Sequence, residues 1–181
     1  MAVPGLGSGI SPAIHAVIKT WMPAPSAGMT LHSQSPPMPF DDAKIFDKKR
    51  YKHWVDDHVR FSDLDALGHT NNNAIGQFFE NARAVLFMEV TPQWPYRDQI
   101  FVLARIAIDY RHELHMPAQV RVGTSVTGFG RTSMRMASAL FHGEIGIAYA
   151  ETVSVLIEEH SRQPVEIPAD LRKILAAYAV I

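Results

Sequence analysis

Residues 60–73 read RFSDLDALGHTNNN, and the rest of the chain is best interpreted outward from this stretch. It holds two carboxylates, one imidazole, one glycine and three asparagines between an apolar strand-like segment and an amphipathic pattern. A connecting loop needs far less polarity than this. Because binding and catalytic groups are concentrated on loops that a rigid scaffold positions, we expect the functional site here.

Apolar residues recur at helical spacing directly after this stretch, and polar residues fill the other face. The apolar positions are Ile75, Phe78, Phe79, Ala82, Leu86, Met88 and Val90. The pattern predicts a helix over residues 72–90. Thr70 or Asn71 is expected to cap it, because their side-chain oxygens accept N–H groups that the first turn leaves unpaired.

Five strand-like segments and a second helix complete the pattern. The strands are predicted at residues 51–61, 101–110, 119–128, 131–141 and 145–159, and the last helix begins near Pro168. Glycine-containing turns at residues 128–130 and 142–144 predict hairpins between the last three strands. One strand, a long helix, consecutive strands and a last helix indicate the α+β class.

The stretch 60–72, followed by FFENAR at residues 78–83, resembles the hotdog-fold acyl-CoA thioesterases of the 4-hydroxybenzoyl-CoA thioesterase type. Two further segments are similar to that family, GRTS at residues 130–133 and RQPVEIP at residues 162–168. The resemblance spans residues 52–178. It implies a hotdog fold, in which a curved antiparallel sheet wraps around a long central helix.

Composition favours one domain with a tail. With 181 residues, 47% of them hydrophobic, an ordinary single core is expected. Residues 1–48 are predicted to be a Pro-rich N-terminal extension, partly flexible, and residues 49–181 a single hotdog thioesterase-like domain. Within the extension, residues 13–21 are compatible with a short helix, and Met29 or Met38 is an alternative start of translation.

Charge and cysteine content limit the partners and the compartment. A formal net charge of −1 gives no electrostatic reason to expect nucleic acid or an anionic membrane as a partner. No apolar run approaches the roughly 20 residues of a membrane-spanning helix, and the N-terminus lacks the pattern of a secretory signal. Because cysteine is absent, we expect a reducing compartment and a cytoplasmic location.

Thioester hydrolysis needs a group that activates water or attacks the carbonyl, and donors for the resulting oxyanion. The resemblance places the catalytic carboxylate on Asp65 and the donating amide on Asn72, where a helix N-terminus presents unpaired N–H groups. Asp65 as general base and Asp65 as nucleophile both stay open, with the base favoured. If the first strand continues, Asp63 lies on the same face as Asp65, and it is the alternative base or a structural residue.

Other residues of the motif are candidates for orienting groups and substrate contacts. His69 is expected either to orient the carboxylate or substrate, or to make structural hydrogen bonds. Asn71 is either the helix cap or a substrate contact, and Gly68 permits a tight backbone beside the ligand. Phe79 is expected to line the acyl pocket, with ordinary core packing as the alternative.

Coenzyme A phosphates are bound by basic side chains near the mouth of the site, and Arg131 and Ser133 after the hairpin turn are the candidate contacts, with a solvated turn residue as the favoured alternative for Arg131. Residues 112–115 read HELH, but their spacing does not fit the paired helical zinc motif. We therefore expect no metal, and no cofactor is implied by the resemblance. The Gly-x-Ser-x-Gly elbow of serine hydrolases is absent.

The sequence thus predicts an acyl-CoA thioesterase, which releases a carboxylic acid and free coenzyme A. The alternative is a non-catalytic hotdog protein that binds acyl thioesters, and a dehydratase would require an acid–base pair that the sequence does not show. An open sheet edge predicts a homodimer or homotetramer. The acyl group, and the choice between coenzyme A and a carrier protein, stay open.

Overall fold

The computed structural model describes residues 41–180. Its α-helices are α1 (Asp42–Ile45), α2 (Asn72–Val90) and α3 (Ala169–Ala176). Its strands are β1 (His53–His58), β2 (Gln99–Tyr110), β3 (Gln119–Phe129), β4 (Ser133–His142) and β5 (Ile145–Glu158). The predictions for residues 1–40, including the short helix and the alternative starts, lie outside the described residues.

The five strands form one sheet in the order β1-β3-β4-β5-β2, and every neighbouring pair is antiparallel. The predicted hairpins join β3 to β4 and β4 to β5. In the second of them Gly143 adopts a φ of +58°, a left-handed conformation that favours glycine. Strands β1 and β2 are the edges of this sheet. The α+β class predicted from the order of elements is confirmed.

Helix α2 lies against one face of the sheet because its apolar stripe must be buried. Its bounds coincide with the predicted residues 72–90. Phe78, Phe79 and Ala82 are 3%, 1% and 0% exposed and belong to one buried cluster with Val122 and Leu140 of the sheet. Burial of each phenylalanine contributes roughly 2–3 kcal/mol. This packing fixes the N-terminal end of α2 relative to the strands.

Helix α3 closes the other end of the core. Leu171 and Leu175 are fully buried and share a cluster with Leu86 and Val90 of α2. Pro168 is the N-cap of α3, in agreement with the predicted start. Among the helices of residues 41–180, none is long and apolar enough to span a membrane.

Residues 42–51 cover the face of the sheet opposite α2. Ile45 and Phe141 are buried together there. Phe46 lies directly over Gly146, and a Cβ at that position would overlap its ring, so only glycine allows this approach. The predicted domain boundary between residues 48 and 49 therefore falls within a segment that packs on the sheet.

Strand β1 is shorter than predicted. It ends at His58, because a 3-10 turn over Phe61–Asp63 follows, and the Asp63 carboxylate accepts the N–H of Arg60 at 2.7 Å. The strand does not continue to Asp63, so the condition under which Asp63 and Asp65 would lie on one strand face is not met. The other strand bounds differ from the predicted ones by one or two residues, within the usual spread at element ends.

A local turn follows β5 and carries a perturbed carboxylate. Glu158 accepts hydrogen bonds from the backbone N–H groups of His160 at 3.0 Å and Ser161 at 2.5 Å. Hydrogen bonding from the Ser161 side chain and from these two amides lowers the pKa of Glu158 from its ordinary 4.5 to about 2. The ionised form therefore stabilises this turn.

Candidate active site

The polar stretch forms a short loop between β1 and α2, anchored at both ends. The Asp63 carbonyl accepts the N–H of Asn71 at 2.8 Å. The Thr70 N–H donates to the carbonyl of Leu114 at 2.7 Å, and Thr70 bridges Leu64 in antiparallel fashion. The loop is thus held against the segment that follows β2. Two regions far apart in sequence meet at this point.

Asp65 holds the tip of this loop with one of its two carboxylate oxygens. Its Oδ1 accepts the N–H of Leu67 at 2.8 Å and the N–H of His69 at 3.1 Å. Its backbone N–H donates to the His69 carbonyl at 2.8 Å, and Gly68 donates to the Asp65 carbonyl at 3.1 Å. Within residues 41–180, the Oδ2 atom of Asp65 has no hydrogen-bond partner. Asp65 is half-buried, and its Oδ2 is available for chemistry.

The N-terminal end of helix α2 offers a backbone donor that no described residue accepts. Asn71 is the N-cap, and its Oδ1 accepts the N–H of Asn73 at 2.8 Å. Of the two predicted caps, Asn71 is therefore the one that the structure has. Asn72 follows as the first helical residue, and within the described part of the chain its N–H makes no hydrogen bond. The helix dipole adds partial positive charge at the same place.

Asp65, His69 and Asn72 line one pocket of about 250 Å³, which brings the three predicted catalytic residues together. Helix α2 contributes Asn72 and Ile75 to its wall. The remaining lining residues are Thr70, Tyr110, Arg111, His112, Glu113 and Leu114. The pocket therefore lies between the loop, the N-terminal end of α2 and the C-terminal end of β2.

Sequence reasoning missed the residues from the end of β2. Tyr110 donates its hydroxyl to the carbonyl of Asn72 at 3.4 Å, and burial raises the pKa of its phenol. The Arg111 guanidinium is only 8% exposed and donates from Nε to Asp42 at 2.9 Å. The only sequence signal for this wall was the density of polar residues after a strand, at residues 109–113.

Three of the candidate substrate contacts, Gly68, Asn71 and Phe79, have structural roles. Gly68 has a φ of +82°, and a Cβ added there would meet no atom within 4 Å, so the conformation rather than the space requires glycine. Asn71 caps α2. Phe79 is 1% exposed within the core cluster and does not line the pocket. The fold therefore shows Asn71 as a helix cap and Phe79 as a core residue, which are the structural alternatives given for them above.

Arg131 and Ser133 lie at the far end of the sheet from the pocket. Ser133 pairs with Val155 on β5, whereas Arg111, in the pocket wall, donates its N–H to the carbonyl of Ile147. The strand between Ile147 and Val155 spans roughly 26 Å at about 3.3 Å per residue. Within one chain, these two residues and Asp65 do not share a pocket.

The arrangement combines the two groups that acyl transfer requires. A carboxylate oxygen without a partner can accept a proton or attack a carbonyl carbon. The N–H at the start of α2 is a fixed donor for the oxygen that becomes negative. A thioester whose carbonyl enters the pocket meets both groups.

Comparison with known proteins agrees with this chemistry. The family model of the Thioesterase-like superfamily matches residues 59–175, so the chain belongs to this superfamily. No curated protein matches the sequence. The superfamily, and solved structures named thioesterases, support acyl thioester hydrolysis in general. The narrower 4-hydroxybenzoyl-CoA type is not confirmed and stays a prediction.

Three solved structures are similar to this chain, and two of them carry the name thioesterase. The PA5185 protein from Pseudomonas aeruginosa is 28% identical with a TM-score of 0.66, covering 74% of this chain and 95% of its own. A predicted thioesterase from Bacillus stearothermophilus is 25% identical with a TM-score of 0.65, covering 70% and 96%. A thioesterase from Thermus thermophilus, complexed with coenzyme A and Zn, is 32% identical with a TM-score of 0.64, covering 71% and 95%. The predicted hotdog fold is confirmed.

Proposed function

We propose that this protein is an acyl-CoA thioesterase that uses Asp65 and the backbone N–H of Asn72. The observation that carries the proposal is that Asp65, whose Oδ2 has no hydrogen-bond partner within residues 41–180, lines the same pocket as Asn72 at the start of α2. The Thermus thermophilus thioesterase complexed with coenzyme A supports coenzyme A as the carrier of the acyl group. No cofactor takes part in the proposed reaction.

In the proposed reaction Asp65 acts as a general base. Its Oδ2 takes a proton from a water molecule, and the water oxygen forms a bond to the thioester carbonyl carbon. The carbonyl oxygen becomes an oxyanion and accepts a hydrogen bond from the Asn72 N–H. The carbon–sulfur bond then breaks, the proton passes from Asp65 to the leaving thiolate, and the products are a carboxylic acid and free coenzyme A.

The alternative role of Asp65 is that of a nucleophile. Its Oδ2 would then bond to the carbonyl carbon, expel the thiolate and leave a mixed anhydride that water hydrolyses. Intact-mass measurement on enzyme quenched during turnover distinguishes the two. A mass increase equal to the acyl group indicates the nucleophile, and its absence at every quench time favours the base.

His69 and Tyr110 are proposed as orienting groups around this chemistry. The Asp65 carboxylate fixes the position of His69, because the His69 backbone N–H donates to Asp65 Oδ1. Tyr110 stays protonated at neutral pH, since burial raises its pKa further above neutrality. Its hydroxyl is then a permanent donor beside Asn72. Both residues are proposed to orient the thioester rather than to react with it.

We propose that β2 pairs with a second copy of the chain to form a homodimer. This strand is a sheet edge, and no strand of residues 41–180 pairs with its outer side. Leu103, Ile106 and Tyr110 on β2 are 42%, 39% and 42% exposed, which is unusual for large apolar side chains on a strand. Arg131 and Ser133 keep their proposed role in phosphate binding only if a second copy brings its turn near the pocket. A homotetramer and a cytoplasmic location also stay proposals.

The test is steady-state hydrolysis of aromatic and straight-chain acyl-CoAs, with detection of free thiol, by the wild type and by Asp65→Asn. Asp63→Asn is the matched control, because Asp63 is in the same loop, also accepts a backbone N–H, and does not line the pocket. Hydrolysis of some acyl-CoA that is lost in Asp65→Asn and kept in Asp63→Asn supports the proposal. Absence of hydrolysis for every acyl group contradicts it.

A non-catalytic binding function is favoured by one observation. The Oδ1 atom of Asp65 already has a structural role, which explains an aspartate here without any chemistry. On this alternative, acyl-CoA binds with equal affinity to the wild type and to Asp65→Asn, and neither releases free thiol. Calorimetric titration with the substrate panel separates a binding protein from an enzyme.

A further inference from the structure

Three potential metal ligands meet at the rim of the pocket. His69 comes from the loop before α2, and Glu113 and His115 come from the segment after β2. His69 and His115 form an isolated antiparallel bridge, and the Thr70 N–H donates to the Leu114 carbonyl at 2.7 Å. The backbone therefore holds the two segments together independently of the three side chains.

The ligand atoms are close to the spacing that a zinc-type ion needs. Bonds of about 2.0–2.2 Å in a tetrahedral site place neighbouring ligand atoms about 3.4 Å apart. Glu113 Oε2 lies 3.7 Å from His69 Nε2 and 3.5 Å from His115 Nε2. All three ligand atoms lie within 4.8 Å of one another, so small side-chain rotations complete the geometry.

A hydrogen bond on the far side of one ring favours the ligand form of His115. Its Nδ1 lies 3.3 Å from the Gly68 carbonyl oxygen, which can only accept. With the proton on Nδ1, the lone pair of a neutral imidazole is on Nε2, the atom that points to Glu113. Histidines that bind metals use this arrangement, in which the second nitrogen donates to a carbonyl.

We propose that His69, Glu113 and His115 bind one divalent transition-metal ion of the zinc type, with its remaining coordination position open to the pocket. Two imidazoles and one carboxylate are ligands that zinc accepts in sites that keep such an open position. The proposal departs from our expectation from the sequence, where residues 112–115 lacked the helical spacing. The third ligand, His69, comes from a loop that only the fold brings near.

This site goes beyond the proposed hydrolysis and does not depend on it. His69 and Glu113 line the same pocket as Asp65, so a bound ion lies beside the place of the thioester. Without an ion, the Glu113 carboxylate simply lies between the two imidazole rings, 3.7 Å from His69 Nε2 and 3.5 Å from His115 Nε2. That arrangement is the competing explanation, and direct metal binding distinguishes it from a metal site.

The experiment uses the full chain without a histidine tag, treated with chelator and titrated with Zn²⁺ by calorimetry. We expect one ion per chain, and His115→Ala should weaken binding at least about a hundredfold, since loss of even an outer partner costs 10–100-fold. His58→Ala is the matched control, because the His58 side chain is 58% exposed against 55% for His115 and also has a carboxylate nearby. The control should bind like the wild type.

A second measurement guards against a variant that is simply less stable. Glu113→Gln keeps the size of an exposed side chain and removes its charge. Zn²⁺ should raise the thermal midpoint of the wild type and leave that of Glu113→Gln unchanged, because only a bound ion stabilises the native state. Absence of saturable binding, or equal loss in His115→Ala and His58→Ala, overturns the proposal. Hydrolysis is measured separately, so failure of the metal site leaves the thioesterase proposal standing.

Discussion

The two oxygens of Asp65 can be tested separately by two substitutions. Asp65→Asn keeps an oxygen that can accept the N–H groups of Leu67 and His69, but removes the ionisable oxygen. Asp65→Ala removes both. The first variant should therefore fold like the wild type and lose chemistry, whereas the second should lose stability as well.

The magnitudes follow from the geometry. A hydrogen bond to a charged group contributes about 1.5–3 kcal/mol, and partial exposure reduces this, so loss of the two bonds in Asp65→Ala should cost about 1–2 kcal/mol. Asp65→Asn should cost less than about 1 kcal/mol. A positioned general base contributes about 10²–10⁴ in rate, so both variants should lose that factor in kcat. The loss corresponds to about 3–5 kcal/mol of transition-state stabilisation.

Two assays check these values on the same samples. Urea unfolding gives the free energy of unfolding, and thiol release from the best acyl-CoA gives kcat and KM. If Asp65→Asn keeps more than about a tenth of kcat, its carboxylate has neither role in the reaction, because the smallest effect of a general base is about a hundredfold. If Asp65→Asn loses as much stability as Asp65→Ala, the assignment of the structural role to Oδ1 and the chemical role to Oδ2 is wrong.

Gly68→Ala and Gly143→Ala each place a side chain at positive φ without a clash, so each should lower the free energy of unfolding by about 1–2 kcal/mol. Only Gly68→Ala, in the loop of the pocket, should also lower kcat/KM. Ile106→Lys adds a charge to the open edge of β2 and should convert the dimer to a monomer in light scattering, whereas Ile145→Lys, at an exposed position away from that edge, should not. Glu158→Gln should lower the urea midpoint above pH 4.5. The difference from the wild type should disappear as the pH falls towards 2, because the hydrogen bonds that lower the native pKa stabilise only the ionised carboxylate.

Each of these outcomes has an opposite that refutes its reasoning. If Gly68→Ala and Gly143→Ala were equally active, the backbone conformation at Gly68 would not matter for hydrolysis. A wild-type chain that is monomeric at micromolar concentration would refute pairing through β2. A Glu158→Gln difference that is the same at pH 3 and pH 7 would show that the lowered pKa does not contribute to stability.

The sequence predicted elements well where local rules decide them. Helix α2 has the predicted bounds because a helical apolar stripe, an asparagine cap and Pro92 after Thr91 all specify the same segment. Strand β1 was predicted too long, since the 3-10 turn at Phe61–Asp63 depends on a hydrogen bond from Arg60 that a hydropathy pattern does not contain. Local patterns thus predict which elements form, whereas hydrogen bonds between side chains and backbone decide where an element ends.

The candidate site was predictable only on one of its two sides. Asp65, His69 and Asn72 lie in one stretch of sequence, and the family resemblance of that stretch implied the roles of Asp65 and Asn72; the fold places all three in one pocket. Tyr110 and Glu113 enter the pocket through the bridge between residues 69 and 115, and no local pattern specifies such a pairing. Periodicity in α2 likewise shows which residues are buried but not whether they face a pocket or the core.

Strand β2 connects the two features that the sequence left open, assembly and the second wall of the pocket. Its outer edge exposes Leu103 and Ile106, and its C-terminal residue, Tyr110, lies in the pocket wall beside Asn72. In the proposed dimer, a second copy paired along β2 would lie next to Tyr110, and so next to the pocket. Tyr110 would then be held from both sides, so loss of the dimer should raise KM while leaving Asp65 and its loop intact. Activity that depends on protein concentration is the consequence to look for.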